Sequence, residues 1–302
     1  MTRTRLLAAI VAVGFAVTVV AAQQQRPRIP PTGAIKKVRD NLYVIPGAGG
    51  NTTVFVTQAG IVLVDTKLAN NGAAILGQVR TVSGRAVSMI INTHSHPDHI
   101  GSNDYFGATV EKVTHENTKK WMAANERIAS NPAVMPTKTF SDRMTLASGK
   151  DQIDLYYFGP GHTDGDAFVV FPAIRAMAAG DIFAWKMAPL IDPMAGGSVV
   201  ALPDTLEKAL KGIRNVDTVI EGHGDVNTWA GFRDYTQFNR ALLDAAKAGM
   251  GKRSAEQIAA DLKPKFPVFT KEELLTDMEY GGTPLSRAVI NVNIAFQEVG
   301  KK

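Results

Sequence analysis

The chain contains no cysteine. That excludes disulfides, thiolate nucleophiles and cysteine metal ligands, and it suits an oxidising compartment, where no thiol can mispair. Histidine is scarce as well, with six in 302 residues. Neither sign of charge dominates. The formal net charge is +5, and removal of an N-terminal leader carrying Arg3 and Arg5 would lower it to +3. So small a basic excess gives no reason to expect nucleic acid as a partner. There is no internal repeat and no low-complexity tract. The long apolar run LLAAIVAVGFAVTVVAA follows the basic start MTRTR and ends in small residues at Ala22. That order reads as a secretory signal peptide over residues 1–22. The expected product is periplasmic or secreted, with no membrane attachment after cleavage; retention as an N-terminal anchor is the alternative.

What remains is 45% hydrophobic and long enough to bury a substantial core. Residues 23–40 begin with the polar, proline-rich QQQRPRIPPTG and read as an exposed lead-in. Short β-rich runs follow (NLYVIPG, NTTVFVTQAG, IVLVD), separated by Gly, Asn and Pro turns. A helix is predicted over LANNGAAILGQVRTVSG, with Ala74, Ile75, Val79 and Val82 on one face. RAVSMIINTH is strand, and a short helix is expected over Asp98–Phe106 behind Pro97. ATVEKVT is strand, HENTKKWMAANERIA is helix and SNPAVMPTKTF is loop. Four strands come next, then a helix over Pro203–Arg214 and the strand of DTVIEGHGD. Strand clusters interrupted by single helices, twice over, predict an α+β fold of two sheets with helices outside them. The catalytic domain is placed at 41–232. From Arg233 to residue 302 the sequence reads as helices only, with capping boxes at Ser254-x-x-Gln257 and Thr270-x-x-Glu273 and a further start at Thr283-Pro284.

Five of the six histidines sit in turns rich in Gly, Pro or Asp at the ends of predicted strands, where a scaffold can aim side chains at one point. His94, His96, Asp98 and His99 lie together in NTHSHPDHIG. His94 and His96 would share a face of a continuing strand, and Pro97 then turns Asp98 and His99 away. One short segment can thus serve two neighbouring points. His162 lies in GPGHTDGD, Asp181 in AAGDIF and His223 in EGHGD. Imidazole and carboxylate are the ligands zinc accepts when no thiolate is present, and seven such residues suit two metals better than one. His115, in VTHENTKK at a helix entry, has no place in this set and is read as structural. Tyr156, Tyr157 and Phe158 are read as sheet core.

The ordered pattern HxHxDH, Gly-His-Thr, Gly-Asp and Gly-His-Gly resembles the metallo-β-lactamase superfamily of hydrolases from about Asn41 to Gly231. The resemblance implies a four-layer αβ/βα sandwich, here with a C-terminal helical extension. It also implies that His94, His96 and His162 hold one metal, that Asp98, His99 and His223 hold the other, and that Asp181 bridges them. Asp65, which ends IVLVD, matches a position that supports ligands from behind. The expected cofactor is two Zn2+, with iron or manganese as substitutes. The expected reaction is attack of a bridging hydroxide on a small-molecule carbonyl substrate (an ester, lactone, thioester or β-lactam), with Asp98 as catalytic residue orienting it and passing the proton on.

Departures from known subfamilies narrow little. The commonest zinc lactamases carry cysteine where this chain has Asp181, and IFAWKMAPLIDP lacks the glutathione-site glycines of glyoxalase II. Signal-molecule lactonases have a tyrosine where Ala184 stands. Pro46–Thr52, Ser130–Phe140 and Phe183–Gly197 are expected to wall the substrate site, with Trp185, Met187 and Leu190 as an apolar surface and Lys186 for a substrate carboxylate. Two other readings stand beside this one: a mononuclear iron persulfide dioxygenase-like enzyme on the same fold, and a non-catalytic binding protein.

Overall fold

The computed structural model describes residues 31–274 and 284–300. The expected signal peptide, its cleavage point and Thr283 lie outside the described residues. No helix among them is long and apolar enough to cross a membrane.

Two sheets form the centre. The first has seven strands in sequence order: β1 (Lys36–Arg39), β2 (Leu42–Ile45), β3 (Thr52–Val56), β4 (Ile61–Val64), β5 (Val87–Ile91), β6 (Glu111–His115) and β7 (Lys138–Phe140). Its first four strands run antiparallel and the rest parallel. The second sheet has six: β8 (Arg143–Leu146), β9 (Ile153–Tyr156), β10 (Phe168–Phe171), β11 (Ala176–Gly180), β12 (Thr218–Glu221) and β13 (Val226–Thr228). Only β11 and β12 pair in parallel, joined through helix α5 (Leu202–Gly212).

Period-two alternation decides which side chains meet. Val62 and Val64 face inward with Phe55 and Ile91 and meet Val169 and Phe171 of the second sheet. Ile61 and Leu63 face the other way, onto Ile75 and Val79 of helix α1 (Gly72–Arg80). In β10 the alternate residues Phe168 and Val170 pack outward on α5 and α6 (Trp229–Gly249). Strands buried on both faces explain the unbroken apolar runs. The expected four-layer α+β sandwich is what forms.

Smaller elements complete it: α2 (Pro97–Ile100), α3 (Glu116–Ala124), α4 (Glu126–Ala129), α7 (Ala255–Leu262) and α8 (Arg287–Gly300). The Ser254 capping box is present, with both reciprocal hydrogen bonds. Several expectations need correcting. β1 pairs with β2 inside the expected lead-in, and β7 occupies part of the expected loop before Phe140. β13 continues the second sheet just beyond DTVIEGHGD, where no strand was expected. The helix expected over Asp98–Phe106 divides into α2 and a single 3-10 turn at Asn103–Phe106. Ala74 is exposed, so the buried stripe of α1 is Ile75 and Val79.

The C-terminal part is not helical throughout. α6 begins at Trp229 and runs through the expected boundary at 232, and Glu272–Leu274 (β14) pairs antiparallel with Pro284–Ser286 (β15). The Thr270 hydroxyl donates backward to the Phe266 carbonyl at 2.9 Å, so it is not available to cap a helix ahead of it. α8 starts at Arg287, beyond the expected Thr283-Pro284 start.

Candidate metal centre

Each of the seven residues singled out from the sequence follows the end of a strand, and all converge at one edge of the sandwich. His94, His96, Asp98 and His99 come after β5, His162 lies between β9 and β10, Asp181 immediately follows β11, and His223 follows β12. His94, His96, His162 and Asp181 place one ligand atom each within 4.8 Å of one another, and so do Asp98, His99 and His223. Asp181 stands between the groups, 3.1 Å from His99 Nε2, 3.3 Å from His223 Nε2 and 3.9 Å from His162 Nε2.

The outward nitrogens set the inward ones. His99 Nδ1–H donates to Asp65 Oδ2 at 2.7 Å, and His162 Nδ1–H to the Leu190 carbonyl at 2.6 Å. His96 Nε2–H donates to Asp192 at 2.8 Å, and His94 Nδ1 lies 3.0 Å from the Thr93 hydroxyl, which itself donates to Asp65. With those outward contacts made, the other nitrogen of each of these rings points into the cluster. His162 Nε2 lies 3.0 Å from His96 Nδ1, and His99 Nε2 lies 3.3 Å from His223 Nε2. Nitrogens about 2.0 Å from one tetrahedral zinc would stand roughly 3.3 Å apart. His94 Nε2 is buried with no hydrogen-bond partner, which is costly unless something else binds that lone pair. On these grounds the donor set fits zinc.

Asp65 supports the ligands as expected. It accepts from the Thr93 N–H, the Thr93 hydroxyl and His99, and holds a left-handed backbone at φ 63°, strain of the kind that persists at functional sites. Residues 183–197 were expected to wall the site, but the hydrogen bonds of Asp192 and the Leu190 carbonyl to ligand histidines, and the place of Trp121, were not found from sequence. LIDP and WMAA carry no ligand spacing, and only tertiary folding brings them to the site.

Burial and charge act together here. Burial works against the charged form of His99, but Asp181, Asp65 and Asp98 outweigh it and hold the imidazole well above its usual range. Burial opposes ionisation of Asp181 too, yet His99 and His223 drive it well below the usual carboxylate value. His94 goes the other way, lowered by burial and by the neighbouring imidazoles. Close approach also requires glycine at two positions. A Cβ on Gly50 would come within 2.3 Å of the His99 ring, and one on Gly222 within 2.0 Å of Asp181 Oδ1.

Two clefts flank the cluster. One, of about 450 Å³, lies between Pro46–Asn51 and the Trp185–His223 pair. The other, of about 320 Å³, is bounded by His96, Pro97, Trp121, Asn125 and Ile128. The wall expected at Ser130–Phe140 lines neither; its end is β7, and Phe140 is core. His115 is structural as expected, capping α3 and stacking on Tyr157 at 3.9 Å. Tyr156 and Phe158 pack against the core outside the second sheet, and Tyr157 against the core between the sheets.

The sequence profile of the metallo-beta-lactamase superfamily matches residues 45–223. Over 204 residues the chain is 26% identical to a metallo-beta-lactamase type 2 from Elizabethkingia meningoseptica, covering 65% of this chain and 80% of that one. A metallo-beta-lactamase type 2 from Bacillus sp. (strain 170) is 27% identical over 204 residues, covering 65% and 77%. Among solved structures, DIM-1 metallo-beta-lactamase superposes with a TM-score of 0.60 at 18% identity, over 70% of this chain and 98% of that one. The sec-alkylsulfatase Pisa1 from Pseudomonas sp. gives a TM-score of 0.69 at 15% identity, over 88% of this chain and 50% of that one. At such identities the likeness speaks for the fold alone. Profile, relatives and clustered histidines agree: the chain belongs to the metallo-beta-lactamase superfamily and is a hydrolase with a candidate metal centre where its two sheets meet.

Proposed function

We propose that this protein is a two-zinc hydrolase of small molecules with an activated carbonyl: an ester, lactone, thioester or β-lactam. The observation that carries the reading is Asp181, which clusters with His94, His96 and His162 and also lies 3.1 Å from His99 and 3.3 Å from His223 of the second group. His94, His96 and His162 would hold one ion, Asp98, His99 and His223 the second, and Asp181 both. Bound zinc in such sites supplies Lewis acidity and lowers the pKa of water from about 15.7 to about 7.

The chain's own residues do the rest. Burial disfavours the ionised form of Asp98, but His99 and His223 outweigh it and lower its pKa. Its Oδ2 lies 3.1 Å from His223 Nε2, on the more exposed side of the cluster. There it would orient the attacking water and help pass a proton to the leaving group. Trp185 and Trp121 give each cleft an aromatic wall for the acyl and leaving portions. The basic start and apolar run of the N-terminal sequence read as a leader, and if the chain is exported the substrate would be met outside the cytoplasm.

Metal analysis combined with a chromogenic panel of ester, lactone, thioester and cephalosporin tests this reading. We expect about two zincs per chain and turnover of at least one panel member. His96→Ala should abolish hydrolysis and reduce bound zinc. Activity that survives complete metal removal would refute the proposal.

A further inference from the structure

We propose that Arg287, on the C-terminal helix α8, is a positioning residue for the second metal site: it holds Trp185, whose indole holds the ligand His223. The inference rests on the two-metal reading above. The Arg287 guanidinium carbon lies 4.5 Å from the centre of the Trp185 ring, within cation–π range. The indole in turn lies flat on the His223 imidazole, with centroids 4.0 Å apart and planes 12° apart. The backbone N–H of Trp185 also donates to the backbone carbonyl of His223 at 3.1 Å.

His223 differs from the other four ligand histidines. Their outward nitrogens are fixed by Asp65, Asp192, Thr93 and the Leu190 carbonyl. Among the described residues nothing is hydrogen-bonded to Nδ1 of His223, so behind the cluster the ring is held by the indole face, while Nε2 meets Asp98 and Asp181 within it. Trp185 itself needs support. It and Lys186 hold left-handed backbones at φ 57° and 50°, a conformation such residues keep only where their surroundings enforce it.

The support comes from one stripe of α8. At about 100° per residue, Arg287, Asn291 and Glu298 fall within roughly 40° of one another. Asn291 Nδ2 donates to the Pro189 carbonyl at 3.0 Å. Glu298 accepts from the Val199 and Val200 N–H groups at 2.9 and 3.2 Å. A single helix face therefore grips residues 185–200 at three places, and the first of these leads to His223. The partners of the first site, the Leu190 carbonyl and Asp192, lie on the stretch that Asn291 and Glu298 also hold, so loss of Arg287 should weigh on the second site far more than on the first.

Zinc titration of the metal-free full chain against a chromophoric chelator gives the test. Trp185→Ala and Arg287→Ala should raise the dissociation constant of one ion by about 10-fold, the scale of lost ligand orientation, and leave the other within about twofold. Trp185→Phe, which keeps a ring, should restore most of the loss. If Arg287→Ala does not fold, Trp185→Ala and Arg287→Lys decide the matter, the lysine variant falling between wild type and Trp185→Ala. Equal weakening of both ions would overturn the proposal, because it would mean general loosening. Unchanged constants on a wild type that binds two ions would overturn it alone. A wild type that binds one ion would overturn it together with the two-metal reading.

Discussion

At the scale of single residues, the site is organised by what lies behind the ligands. Asp65 Oδ1 accepts from the Thr93 N–H, and its Oδ2 accepts from the Thr93 hydroxyl and His99. Asp65→Asn would set an amide N–H against one of these donors and leave a buried polar group unmatched. Zinc affinity, measured by chelator competition, should fall roughly 10- to 100-fold while the circular dichroism spectrum stays the same. His115 yields a prediction about pH. Its Nδ1 accepts from the Asn117 N–H at 3.2 Å, and burial lowers its pKa below 6.5. In acid the unfolded chain takes up a proton that the folded imidazole refuses. The stability this residue contributes is therefore present above pH 6.5 and lost as pH falls below it. The gap in unfolding free energy between wild type and His115→Asn should be constant above pH 6.5 and narrow below, as followed by urea melts. That this histidine is structural was legible from VTHENTKK, because helix entry leaves a local signature. The support from Asp192 was not, because a carboxylate in a turn looks the same whether or not a histidine reaches it.

At the scale of elements, the loop between β2 and β3 depends on a buried lysine. Lys67 is fully buried, and its ammonium donates to the Ile45, Gly47 and Gly50 carbonyls at 2.6, 2.8 and 2.8 Å. Burial pulls its pKa down to about 7, against Asp65 and Asp98; the three carbonyls favour the charged form. Lys67→Met would strand those acceptors and should cost roughly 3 kcal/mol, read as a lower urea midpoint. Elements with long apolar alternation, such as IVLV and FVVF, could be placed from sequence. Three-residue strands such as β7 and β13 could not, since their pairing is set by neighbours distant in the chain. The Thr270-x-x-Glu273 signature misled for a related reason: a threonine hydroxyl can bond backward to a carbonyl as readily as forward to a helix N–H.

At the scale of the whole molecule, the ligand groups straddle the two sheets. The segment from His94 to His99 follows the first, while His162, Asp181 and His223 belong to the second. Bound metal would thus tie the sheets together in the folded state only. With free zinc at 100 times its dissociation constant, each ion should add about 2.7 kcal/mol. That is roughly 5 °C in the thermal midpoint for a chain of this size. Scanning fluorimetry with and without a chelator measures it, and an unmoved midpoint would count against metal held across the sheets. The ligand pattern itself was legible because each member is marked by a local Gly, Pro or Asp turn. The part played by α8 was not, because Arg287 has no motif and reaches His223 through a ring met in three dimensions.

The convergence of ligands drawn from residues 94 to 223 has a consequence for biogenesis. The donors become neighbours only after both halves of the chain have docked, so little of the site exists in a nascent polypeptide. Any metal would then be taken up last in maturation. The ion acquired will reflect the metal supply of the compartment where docking finishes as much as the preference of the donors themselves.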